Sequence, residues 1–263
     1  MKRIISVAFV IVAIGCLVLP IFAGLVGAVN ANYSVTVYGG ADSTIDGKWT
    51  TNPEWDDAAT AQISSDAIFR IKYFFTTDAG GGFLVYDEFL VEFFSDKTND
   101  TGDYIQISYD CNADGGAAPQ TDDIRIDYVG HNGTIVTYKG TGSGWAPAPL
   151  VDYTAAELVS ISKLNGTNPH WTLELKIEKT QNGPGINNAI RVAVYDASNP
   201  SAGVKAWPPA SSLTVVNGYG ADPADTANAI PEGIGLGTIM ILSSTAVIIG
   251  AVYIGRRQKP IKL

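Results

Sequence analysis

Apolar and polar residues alternate along most of the chain between Tyr33 and Leu213, the period of strands that turn one face to a core and the other to water. Runs rich in Val, Ile, Tyr, Phe and Thr predict strands at Tyr33–Tyr38, Ala67–Thr76, Phe83–Phe94, Tyr104–Tyr109, Asp123–Gly130, Thr134–Lys139, Trp171–Glu178 and Ala189–Asp196. Gly, Asp, Asn or Pro separate these runs. No part of this body carries a long apolar stripe of helical period. Short helical turns are expected only at Glu54–Ala58, after Asn52-Pro53, and around Thr154–Leu158. Many strands without intervening helices predict an all-β fold, a β-sandwich or jelly roll.

The pattern changes at both ends. Met1-Lys2-Arg3 is followed by an uncharged run from Ile4 to Val29, which reads as a signal peptide cut after Ala28 or Ala31, or as a retained signal anchor. Residues 217–233 are rich in Gly, Ala, Asp, Asn and Pro, have no apolar period, and read as a linker. Ile234 to Ile254 is then 21 residues without a charge, about what a helix needs to span a bilayer. Arg256, Arg257 and Lys259 follow at once. Basic residues flank spans on the cytoplasmic side, so a transmembrane helix at 234–255, a cytoplasmic tail at 256–263 and an extracellular body at 32–216 are expected, at the cell membrane.

Charge sharpens this division. The whole chain carries −9, but between Asn32 and Ile230 there are 25 acidic residues against 11 basic ones, a net −14. The other six basic residues all lie beside the apolar ends. So acidic a body argues against nucleic acid as a partner. Cys16 lies in the N-terminal apolar run and Cys111 stands alone in the body, so no intrachain disulfide is expected. Asn-x-Ser/Thr sequons at Asn32, Asn99, Asn132 and Asn165 fall where loops or strand ends are expected, and mark glycosylation sites of an exported glycoprotein.

The candidate chemistry lies between two predicted strands. Asp110, Asn112 and Asp114 alternate before Gly115, and Asp122 and Asp123 return at the start of the next strand. Oxygens so spaced can converge on a hard cation where a glycine lets the backbone turn, which predicts a structural Ca2+ site. The spacing matches the first half of an EF-hand loop, but strands flank it and Thr121 stands at the twelfth position, so an EF-hand is excluded. The competing reading is an ordinary acidic turn. His131 and His170 lack acidic or Cys neighbours at zinc spacing and read as ordinary polar residues. Gly142-Ser143-Gly144 is not a nucleophile elbow, because Thr141 takes the first glycine position. No enzyme is expected.

Thr44-Ile45-Asp46-Gly47 followed by Pro53-Glu54-Trp55, the Asp103–Asp110 strand with its acidic loop, Trp171-Thr172-Leu173-Glu174-Leu175-Lys176-Ile177, and Arg191–Asp196 with Trp207 together resemble the family 9 carbohydrate-binding modules and the wider DOMON-like β-sandwiches. The likeness covers roughly Asp42 to Ala210. It implies a non-catalytic jelly-roll sandwich that binds sugar and carries structural calcium. Some DOMON-like relatives bind haem through methionine; the only methionines here, Met1 and Met240, lie outside the body. Ile230-Pro231-Glu232 and the Arg pair resemble C-terminal sorting tails of archaeal surface proteins, with Gly233 where those have phenylalanine.

Trp55 and Trp171 sit in the fold-defining motifs and are expected in the core. Trp145 stands in a Gly-rich loop with no reason to bury an indole, and is the first candidate to stack on a sugar ring; Trp207 is the second. The sequence therefore predicts an extracellular carbohydrate-binding-like module for a polysaccharide or envelope glycan. The alternative is a structural or adhesive envelope protein without a small ligand.

Overall fold

Inner-face alternation is clearest where Phe69, Ile71 and Tyr73 on one strand meet Phe89, Val91 and Phe93 on the next, all buried. A phenylalanine sealed from water in this way stabilises by about 1.5–3 kcal/mol relative to exposure. In the computed structural model the described residues are 29–49, 53–131, 133–150, 152–179 and 187–223. The chain divides into units 1–225 and 226–263, and the second lies wholly outside the described residues, as do residues 1–28 of the predicted signal segment, the C-terminal span and Asn132. Among the described residues no helix is long and apolar enough to cross a membrane.

Among the described residues thirteen strands form two sheets: β1 (Asn30–Ser34), β2 (Ala59–Ser64), β3 (Ala67–Thr77), β4 (Phe83–Phe93), β5 (Tyr104–Asp110), β6 (Ile124–Val129), β7 (Thr134–Gly140), β8 (Trp145–Pro147), β9 (Tyr153–Ser160), β10 (His170–Glu178), β11 (Asn187–Tyr195), β12 (Lys205–Trp207) and β13 (Gly220–Pro223). One sheet runs β1-β13-β11-β5-β6-β7-β8, with β12 also paired to β11; the other runs β2-β3-β4-β10-β9. Every pairing between these named strands is antiparallel except β1 with β13. Inner-face residues of both sheets share one core, in which Phe89 meets Tyr109 edge-on and Tyr128 lies against Trp171. The fold is all-β and sandwich-like.

Both sheets are also covered on part of their outer faces. Residues 39–49 and 53–58 lay Trp49 and Trp55 over Leu90 of the five-stranded sheet. Beneath it, the Glu174 carboxylate accepts hydrogen bonds from the Asp46 and Gly47 amides at 2.7 and 2.9 Å and from the Trp55 indole at 2.8 Å. Gly47 is required there: its φ is +80°, and a Cβ would lie 2.6 Å from the Glu157 carbonyl carbon. On the eight-stranded sheet, Arg191 bridges Gln106 to the Ser211 carbonyl and so holds the 208–219 segment down.

Two expectations change and one holds. Thr154–Leu158 is not a helical turn but the middle of β9, because pairing with β10 overrides the helix preference of Ala-Ala-Glu-Leu. Residues 53–58 do turn, through Asp56 N–H to the Pro53 carbonyl and Ala58 N–H to that of Trp55. The expected linker begins inside the fold: Gly220–Pro223 is β13, and Asp222 is buried.

Candidate functional site

The outer face left uncovered on the five-stranded sheet carries a shallow groove. Antiparallel pairing sets Phe74 of β3 directly opposite Tyr86 of β4, so both rings stand on one face. Both are half-buried. Lys176 of β10 rises between them, its Nζ 4.7 Å from the Phe74 ring centre and 4.8 Å from that of Tyr86. Asp42, Thr76, Asp152, Tyr153 and Thr154 complete the walls of a depression of about 460 Å³. Asp42 also borders a second, acidic depression with Thr44, Glu54, Asp56 and Asp57.

Electrostatics fix the lysine. Lys176 pairs with Asp42 and lies 3.1 Å from Glu88, which is fully buried beneath it. Burial pushes the Glu88 carboxyl up. Burial also works against ionising Asp42, but hydrogen bonds from Glu88 and Lys176 outweigh it and hold that carboxyl down. The groove therefore presents an aromatic floor, a fixed ammonium and a rim of hydroxyls and carboxylates.

The tryptophans proposed from sequence lie elsewhere. Trp145 is half-buried on β8, and its indole N–H donates to the Leu213 carbonyl at 2.9 Å. Among the described residues no other ring stacks on it. Trp207 is in the core, edge-on to Phe69 at 5.2 Å and to Tyr33 at 6.4 Å, and offers no face to a ligand. That corrects its reading as a binding residue: β12 is pulled onto β11, which turns the indole inward. Trp55 and Trp171 are buried.

The acidic hairpin is folded in on itself. Asp110 Oδ2 accepts the Gly115 amide at 2.8 Å, and Asp123 accepts the amides of Cys111 and Gln120 at 3.3 and 2.6 Å. Asn112 and Asp114 bond to each other. Asp122 is half-buried beside them. Among the described residues, the Asp, Glu, His and Cys side chains that bring three ligand atoms within 4.8 Å of one another are Asp96–Asp103–His131 and Asp100–Asp103–Asp196, at the opposite end of β5. Asp110, Asp114, Asp122 and Asp123 are in neither set. Cys111 is a buried free thiol.

Of the sequons, Asn32 and Asn99 are exposed; Asn165 is half-buried, and its side-chain oxygen accepts from Asn168. Phe74 and Tyr86 were missed as site residues because alternation names the outward positions of a strand without saying which remain uncovered. Compared with known proteins, the chain matches no family model, no curated protein and no solved structure.

Proposed function

We propose that this is a membrane-tethered, extracellular saccharide-binding module whose ligand lies in the groove over Phe74 and Tyr86. One observation carries the reading: two rings held side by side across β3 and β4, half-exposed, with Lys176, Asp42, Thr76 and Thr154 around them. An aromatic face takes the apolar face of a sugar ring, while charged and hydroxyl groups at its edge take the hydroxyls, the mix of apolar floor and few polar anchors that small-ligand sites use. The tether is the uncharged 234–255 segment with its basic flank. The jelly-roll topology implied by the resemblance belongs to this same reading.

The test is a glycan array followed by calorimetry on the best ligand. Tyr86→Ala is expected to weaken binding by about 1–3 kcal/mol, the scale of one buried aromatic contact. Trp145→Ala should leave it unchanged, since that indole is tied to Leu213. Equal loss from both variants, or no saccharide bound at millimolar concentration, overturns the reading. The envelope-structural alternative then gains from Phe75 and Phe83, which stand exposed where the β3–β4 hairpin closes.

A further inference from the structure

At the other end of the strands three connections meet. Asp96 follows β4, Asp103 precedes β5, and His131 lies in the β6–β7 turn. Asp96 and Asp103 are sealed from water, and the His131 side chain is 3% exposed. Backbone bonds hold the two acids: the Trp171 amide donates to the Asp96 carbonyl at 2.9 Å, and the Gly130 amide to that of Asp103 at 2.7 Å. Asp103 Oδ1 accepts the Ala197 amide at 2.7 Å, and Oδ2 the Asp100 amide at 3.0 Å.

What is unusual is what remains unmade. Neither ring nitrogen of His131 has a hydrogen-bond partner, and neither has Asp96 Oδ2. Nε2 points between the two acids, 3.7 Å from Asp96 Oδ2 and 3.3 Å from Asp103 Oδ2. A charge-assisted hydrogen bond would close to about 2.7–2.9 Å. These groups stand within ion-pair range of one another yet close no hydrogen bond, a costly arrangement for polar atoms so sealed. Separations like these are instead what two ligands of one ion show: donors about 2.1 Å from a tetrahedral metal stand about 3.4 Å apart.

The far side of the ring is arranged to match. Nδ1 faces Glu157 Oε2 at 3.5 Å, and that oxygen accepts the Trp171 indole N–H at 3.0 Å. The Trp171 ring stacks on the imidazole with centroids 4.1 Å apart. A carboxylate behind a histidine, fixing its tautomer and orientation, is the usual companion of a metal ligand.

We propose that Asp96, Asp103 and His131 bind one divalent transition-metal cation of the zinc type, with Glu157 as the positioning residue behind the imidazole. Two carboxylates neutralise a dication, and an imidazole nitrogen selects zinc-like ions over calcium, which takes six to eight oxygens. Asp103 is shared with a second set, Asp100–Asp103–Asp196, which offers carboxylates alone and no imidazole. The ion ties the β4–β5 connection to the β6–β7 turn. No short sequence motif announces it, because the ligands are 7 and 28 residues apart.

The chain has two histidines, so imidazole nitrogen NMR on the full chain reads both rings separately. After chelator treatment, zinc chloride should bind at one equivalent. It should shift His131 Nε2, leave His170 unmoved and fix the Nδ1–H tautomer. Cobalt(II) should give visible bands that zinc displaces. His131→Gln and Asp96→Asn should abolish these signals; Glu157→Gln should weaken zinc affinity by about 10–100-fold and release the tautomer. No stoichiometric binding, calcium bound in place of zinc, a shift at His170, or unchanged affinity in His131→Gln would each overturn the proposal. Should a variant fail to fold, the two-ring spectrum of the unaltered chain still decides.

Discussion

Asp123 is almost sealed from water, and its two oxygens take the amide hydrogens of Cys111 and Gln120. Burial, with Asp110 and Asp122 nearby, pushes its carboxyl up to about 7 in spite of those bonds. The consequence has a definite sign. Between its ordinary value of 3.8 and about 7, the folded chain holds a proton at Asp123 that the unfolded chain has lost. This contribution to stability is therefore complete below about pH 4 and is lost as pH rises to about 7. Because the buried site still relaxes around the charge, the loss is on the order of 2 kcal/mol. Thermal unfolding followed from pH 4 to 8 should show it as a falling midpoint. Asp123→Asn, less stable throughout for want of one acceptor, should lack that share of the slope. A slope identical in both proteins would show that Asp123 ionises normally. The same residue shows where sequence reasoning ended: alternate acids before a glycine are visible in the chain, but whether they turn outward to a cation or inward to amides depends on what packs over them. Glu174 is the counterpart. Its one carboxylate holds both the Asp46-Gly47 turn and the Trp55 indole, which lie more than a hundred residues away in the sequence.

At the level of elements, seven strands are legible as alternating runs with observed limits close to the expected ones, whereas the run Tyr33–Tyr38 overlaps β1 (Asn30–Ser34) only at Tyr33 and Ser34. The others lacked the signal for separate reasons. β8 and β12 are three residues long, too short for a period to register. β2 is Ala-Thr-Ala-Gln-Ile-Ser, small and polar, and β9 is an edge strand of helix-forming composition. β13 hides in Gly-Ala-Asp-Pro and exists only through its partners β1 and β11. The parallel β1–β13 pair bears on processing. Asn30 donates its amide to the Tyr219 carbonyl, and Val29 packs against the cluster of Ala189, Val216 and Tyr219. Of the two cut points the sequence offers, the one after Ala31 would remove Val29 and Asn30, whereas the one after Ala28 keeps both. N-terminal sequencing of the mature protein should therefore begin at Val29. A start at Asn32 would mean that the first half of β1 is dispensable.

For the molecule as a whole, charge and hydropathy divide the chain more sharply than any motif. The folded unit lies within a stretch of net −14, and the six basic residues outside it flank the two apolar segments. On the proposed topology the short Arg-Arg-x-Lys tail is the cytoplasmic end, since basic residues beside a span favour that side. The groove over Phe74 and Tyr86 and the exposed sequons Asn32 and Asn99 all belong to the acidic unit, so the proposed topology would place them on the same side of the membrane. Protease added to intact cells should remove the body and leave a fragment of a few kilodaltons that carries the 234–263 segment. A tag placed after Leu263 should stay protected until the membrane is permeabilised. Full protection of the body, or loss of the tag from intact cells, would reverse the orientation. The groove would then face the cytoplasm, where a surface polysaccharide could not reach it, and the saccharide reading would fall with the topology.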